Sequence, residues 1–297
     1  MRIVSLFPGG TEIVCALGAI DELVGVSHEC DYPPQVSTKP RVVRSVIDRD
    51  KLSSSAIHER VGSTRRIHTV DVELLKQLNP DVVVAQNLCS VCAVPHTQVL
   101  EAIGGWFMQP RVVGVSAHTL GEVIDSVKLI GEAIGRDKEA EELAASMRER
   151  VSRIVELTEG LERPRTMCVE WINPLMVGGD WIPELVELAG GINCFTVKGD
   201  KSRRVSGDDV IRCNPQIIVL MPCGFSVERT LKEIDILRCS EWWRKTEAYR
   251  DHRIYAVDGR SLFTRLGPRL VDGLECLADL LHPYIFMGSK ARHAKLT

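Results

Sequence analysis

Residues 71–86, DVELLKQLNPDVVVAQ, read as a short helix stopped at Asn79-Pro80 and followed by a strand of β-branched residues. Nearly the same pattern returns at residues 206–222, SGDDVIRCNPQIIVLMP. Each copy predicts helix, Asn-Pro, strand and loop, so the chain holds two similar halves. Outward from the first copy, RIVSLF, TEIVCALGAI, ELVGVS, HTQVLEAIG and RVVGVS continue the alternation of strand and helix, with Thr11 able to cap the first helix and Gly18 to end it. Outward from the second, TMCVEWI, WIPELVELAGG, RIYAVDG and PRLVDGLECLADLLHPYI do the same. Such alternation builds parallel sheets covered by helices.

Between the halves, from Thr119 to Glu159, Pro is absent and apolar residues recur at every third and fourth position. LGEVIDSVKLIGEAIG predicts one amphipathic helix and DKEAEELAASMRERVSRIVELTEG a second, roughly 36 Å long at the usual rise. The expected fold is therefore α/β: two Rossmann-like lobes with parallel sheets, residues 1–118 and 161–297, joined through residues 119–160 by connecting helices that include one long one. Ligands of open parallel sheets sit beyond the carboxyl ends of the strands, here in a cleft between the lobes.

With 297 residues, 44 % of them hydrophobic and 26 % charged, and a net charge of −3, the composition is that of a globular protein. Lys and Arg form no stripe, which argues against nucleic acid as a partner. No apolar run reaches the roughly 18 residues of a membrane span, so membrane insertion is not expected. RIVSLF follows Met1 directly, with no signal segment to read, and Cys15, Cys168, Cys213, Cys239 and Cys276 fall in apolar patterns, where reduced cysteine acts as a small hydrophobe. A cytoplasmic, reducing location is the expectation, and a periplasmic one the alternative if a signal has been removed.

The loops at the strand ends are chemically biased. They carry His28, Cys30, Cys89, Cys92, His96 and Cys223, with Glu12, Glu29, Asp31, Gln86, Trp171, Trp181, Arg229, Phe263 and Arg265 around them. Thiolates and imidazoles suit zinc or copper, and the spacing of Cys89 and Cys92 allows both sulfurs on one ion. The same thiols serve equally as loop lining, or as a nucleophile with His28 or His96 as base. Trp171 and Trp181 offer faces for a flat ligand or fill a core. No phosphate-loop motif follows any strand, and His58 and His68, in a Ser-rich polar excursion (residues 44–69), read as surface residues.

SLFPGGTEIVCALG, LVGVSHECDYPPQV, LLKQLNPDVVVAQ, INPLMVGG, LVELAGGINCF and LFTRLGPRLVDGLECLADLL, in that order, resemble the helical-backbone substrate-binding proteins of ABC importers for cobalamin and iron-siderophores, with the vitamin B12 receptors as the nearest branch. The resemblance implies two α/β lobes on a long helix, little hinge motion, a ligand between the lobes and docking on an ABC permease. Positions that are aromatic in those receptors fall here on Gln86, Gly114, Leu262 and on His28 or Glu29, while Trp171 and Phe263 remain aromatic. The stretch Cys89 to Gln98 lacks the acid through which such receptors dock. LCSVCAV with HECDYP looks like a subgroup described as cobalamin-binding.

Three functions follow as expectations. The first is non-catalytic binding of a corrinoid or similar metal-centred ligand, with Glu12, His28, Glu29, Gln86, Trp171, Trp181 and Phe263 around it and Arg229 and Arg265 pairing its acidic groups. The second is a bare zinc or copper ion on Cys30, Cys89, Cys92 and Cys223. The third is a cysteine-dependent enzyme acting on a small substrate.

Overall fold

The computed structural model describes residues 1–64, 67–87, 94, 96–106, 109–286 and 293–296. The first lobe runs through β1 (Ile3–Ser5), α1 (Pro8–Ala16), β2 (Leu23–Val26), β3 (Val43–Ser45), α2 (Ser54–Ser63), β4 (His68–Val70), α3 (Val72–Leu78), β5 (Val82–Gln86), α4 (His96–Ile103) and β6 (Arg111–Val115). The connection is α5 (Leu120–Ile134) and α6 (Asp137–Thr158). The second lobe follows as β7 (Arg165–Trp171), β8 (Met176–Val177), α7 (Ile182–Leu188), β9 (Ile192–Asn193), β10 (Arg203–Arg204), α8 (Gly207–Cys213), β11 (Ile217–Leu220), α9 (Val227–Leu231), α10 (Ile234–Arg238), α11 (Glu247–Arg250), β12 (Ile254–Val257), α12 (Gly259–Leu262), α13 (Leu270–Leu281) and β13 (His293–Lys295).

The repeated pattern is the centre of both sheets. β5 lies between β1 and β6 in a parallel sheet of order β2-β1-β5-β6, and β11 lies, parallel to both, between β7 and β12. All four residues of β11 and all five of β5 are buried, as continuous apolar strands covered on both faces must be. In each copy a side chain caps the helix, Asp71 on α3 and Ser206 on α8, and an asparagine ends it in the left-handed region, Asn79 at φ 41° and Asn214 at φ 48°. The proline that follows cannot continue the helix. At α1 the expected cap moves: Pro8 opens the helix without a side-chain cap, and Thr11, one turn in, meets Cys30 Sγ at 3.0 Å.

α5 opens on a Thr119–Glu122 capping box and closes on Gly135 at φ 67°, which turns the chain back into α6. One buried cluster runs without a break from Ile3, Val84 and Val127 through Met147 and Ile154 to Ile217, Leu274 and Leu281, so both lobes and the helices share a core. The Ser-rich excursion is a strap and not a polar surface loop. β3 and β4 pair antiparallel, and Ile47, Ile57 and Ile67 are buried in the core of the second lobe beside Trp242 and Phe225. No described helix is long and apolar enough to cross a membrane.

Candidate ligand cleft

Three groups of residues cross from lobe to lobe. At the base, Gly9 is so close to the second lobe that a Cβ there would stand 1.7 Å from the Leu266 carbonyl oxygen. Around this contact Glu12, 4 % exposed, accepts from Arg269 at 3.0 and 2.5 Å, and Arg265, 7 % exposed, donates to Asp31 at 2.5 Å and to the Glu29 carbonyl at 3.0 Å. Burial raises the Asp31 carboxyl, and the hydrogen bond and charge of Arg265 more than offset it, leaving it below the usual range. Glu12 and Arg265 are thus bound to partners across the lobes.

Under the strap, Glu233 accepts from the Ser54 amide at 3.0 Å and its hydroxyl at 2.5 Å, while Arg229 donates to Glu233 and to the carbonyls of Arg49 and Leu52. Trp171 donates its indole N–H to the Ser54 carbonyl at 3.2 Å and packs on Phe225. Arg229 and Trp171, expected at the ligand, are therefore pinned beneath α2. On the opposite side His118 Nδ1 meets Asp180 at 2.7 Å, and Glu184 accepts from the Leu120 amide.

Between these crossings lies a cleft in three parts. A chamber of about 370 Å³ opens at the carboxyl ends of β5 and β11, with Gln86 and His118 from one lobe and Trp181, Ile182, Met221, Cys223 and Phe263 from the other. Trp181 and Phe263 are nearly buried, at 5 % and 1 % exposure, and the Trp181 indole donates to the Phe263 carbonyl at 2.8 Å, which fixes both. Gln86, Cys223 and Thr264 lead into a narrow waist beside Gly9 and Gly224. Beyond the waist is a wing of about 790 Å³ bordered by His28, Glu29, Arg41, Arg49 and Arg260.

His28 sits in that wing against His68 and Arg49. Burial lowers its pKa most, Glu29 raises it, and His68, Arg49 and Arg41 lower it further, to about 4, so the ring is neutral near pH 7. His68, expected at the surface, is 2 % exposed. Cys30 lies apart from the cleft, buried against Thr11, and burial pushes its thiol up to about 11. Cys223 lines the chamber, and Cys89 and Cys92 lie outside the described residues. Among the described residues no three His, Cys, Asp or Glu side chains are grouped to hold a metal ion. Sequence reasoning missed Met221, Ile182, Arg41, Arg49 and Arg260. Their only signal was the strand-end position of Met221 and Arg260.

Residues 3–260 match the family of periplasmic binding proteins. The chain belongs to that family. Among its relatives, an uncharacterized ABC transporter substrate-binding lipoprotein of Bacillus subtilis is 28 % identical over 299 residues, covering 96 % of this chain and 81 % of that one. A vitamin B12-binding protein of Vibrio cholerae is 24 % identical over 282 residues, covering 94 % and 88 %. In solved structures the periplasmic vitamin B12-binding protein of Vibrio cholerae superposes at TM-score 0.69 with 23 % identity, covering 94 % and 96 % of the two chains. A periplasmic haem-binding protein of Pseudomonas aeruginosa superposes at 0.72 with 22 % identity, covering 98 % and 94 %. Those two likenesses establish the two-lobed fold. Membership of a periplasmic family overturns the cytoplasmic expectation in favour of an extracytoplasmic location. The physical reason for the error is that a buried, protonated thiol behaves alike in either redox compartment.

Proposed function

We propose that the protein is the substrate-binding component of an ABC importer and holds a corrinoid or a related metal-centred macrocycle between its lobes. The observation that carries this reading is the chamber at the strand ends. Trp181, Ile182, Met221 and Phe263 line the chamber, each with only a narrow edge exposed, while Gln86 and His118 supply polar groups opposite. A ligand seated there would rest its edge on this narrow apolar floor and take orientation from a few polar contacts. The names of the relatives, vitamin B12-binding and substrate-binding lipoprotein, point the same way. The crossings at Glu12, Ser54 and His118 hold the cleft in shape before the ligand arrives, so little binding energy goes into ordering it.

The test is direct. Protein mixed with cyanocobalamin or haem and passed through gel filtration should retain one equivalent of absorbance at the protein peak, with quenching of tryptophan emission from Trp181. His118→Ala, at a half-exposed side chain on the chamber wall, should weaken retention while leaving the far-ultraviolet circular dichroism in place. Loss of all macrocycle on the column from the wild-type protein would overturn the proposal.

A further inference from the structure

The chamber accounts for only one end of the cleft. We infer that the ligand also carries an anionic group, a phosphodiester or a carboxylate, seated in the basic wing beyond the waist. This inference rests on the macrocycle reading above and adds the chemistry of the second half of the site.

The wing holds cations that its own acids do not match. Glu29 is engaged by Arg49 at 3.4 Å, Asp31 by Arg265 at 2.5 Å and Asp48 by Lys51 at 3.0 Å, and the fourth acid, Asp50, is exposed. Arg41 directs Nη1 at two carbonyls, Ser27 at 2.8 Å and Cys30 at 2.7 Å, and among the described residues it has no carboxylate. Arg260 reaches Asp31 only at 3.8 Å, and its Nε, though buried, has no hydrogen-bond partner. Nε2 of His28 is likewise buried without one, its nearest acid standing at 3.7 Å. A buried guanidinium N–H without an acceptor, and an imidazole nitrogen that donates in one of its tautomers, border one cavity beside Arg41, and an anion there would answer both. The waist beside them is narrow and set by Arg49. Gly224 adopts φ 77°, and a Cβ there would stand 2.4 Å from Arg49 Nη1, so only glycine lets that arginine lie across the gap. Arg260 and Gly224 border both waist and wing, so the two spaces adjoin.

Arg260→Gln is the variant of choice, because its side chain is 43 % exposed and its loss leaves the buried Glu12–Arg265–Arg269 cluster intact. Affinities of wild type and variant are measured for cyanocobalamin, which carries a phosphodiester, for dicyanocobinamide, which lacks it, and for haem and its dimethyl ester, which differ only in two carboxylates. The expected result is that wild type favours the anionic member of one pair by about 10-fold or more, and that Arg260→Gln removes most of that preference while binding the neutral member unchanged. The pair that responds identifies phosphodiester or carboxylate. Binding of macrocycles with equal preference in both proteins would overturn the anion site and leave the macrocycle reading standing. If wild type binds none of the four, the macrocycle reading falls, and inorganic pyrophosphate decides the rest. A rise in melting temperature seen in wild type and lost in Arg260→Gln would retain the anion site, and no rise in wild type would overturn it as well.

Discussion

Arg265→Met separates a lobe clamp from a ligand contact. The wild-type guanidinium, 7 % exposed, donates to Asp31 at 2.5 Å and to the Glu29 carbonyl at 3.0 Å, and it lies 3.4 Å from Glu12. Methionine fills much of the same space but leaves those acceptors unanswered. Glu12 keeps both bonds from Arg269, and Asp31, 44 % exposed, turns to water. The cost therefore falls at the low end of what breaking a buried ion pair removes, about 3 kcal/mol, or roughly a hundredfold in the unfolding equilibrium. Urea unfolding followed by tryptophan fluorescence at pH 7 measures it, with macrocycle affinity determined in parallel and expected to change less than about threefold. The sign of the pH dependence adds a check. Asp31 has a folded pKa below its unfolded one, so its contribution is present above the unfolded value and is lost as pH falls through the folded value; Arg265→Met should lack that acid-labile part. Unchanged stability with a tenfold loss of affinity would refute the clamp and place Arg265 at the ligand.

His28, with its pKa near 4 in the folded chain against 6.5 unfolded, costs stability as pH falls below 6.5, because the unfolded state takes up a proton that the native ring refuses. Between pH 7 and pH 5 that amounts to about 2 kcal/mol, and His28→Gln should abolish it in urea titrations at the two pH values. Gly9→Ala should destabilise by at least about 2 kcal/mol, since its Cβ meets the Leu266 carbonyl at 1.7 Å and no side-chain rotation relieves a backbone clash; a melting temperature within a degree or so of wild type would contradict the contact. In native protein Cys30 and Cys276, whose burial pushes their thiols to about 11 and about 12, should resist iodoacetamide at pH 8 and react once unfolded, whereas exposed Cys239 alkylates at once, as mass spectrometry would show.

The sheets were legible because their signals are local. Asn79-Pro80 and Asn214-Pro215 stop helices by their own backbone chemistry, and VVVA and IIVL bury themselves on both faces wherever a parallel sheet forms. The connecting helices were legible for the same reason, since apolar residues recur at every third and fourth position with no proline between Thr119 and Glu159. The strap was not. Ile47, Ile57 and Ile67 stand ten residues apart in a run of serines and charges, a spacing with no helical or strand period, and what buries them is more than a hundred residues away. Trp171 and Arg229 were misplaced by the same omission: strand-end position alone puts them at the cleft, and only the strap covers them. Trp181 and Phe263 border the chamber, as their strand-end position alone suggests.

The crossings differ in strength, and on the function proposed above the difference bears on how a ligand would reach the cleft. The base joins Gly9 to Leu266 by backbone contact and surrounds it with a buried acid–arginine cluster, so opening there would strand Glu12 in an apolar setting. The strap anchors Ser54, Glu233 and Arg229 in one buried network, and lifting it would also expose three isoleucines. The His118–Asp180 contact spans the lobes with side chains 46 % and 29 % exposed, where solvent screens it and it contributes no more than about 1 kcal/mol. It also borders the chamber. The weakest of these contacts is therefore the one beside the chamber, and on the function proposed above a ligand bound for Trp181 would pass His118 with base and strap left closed.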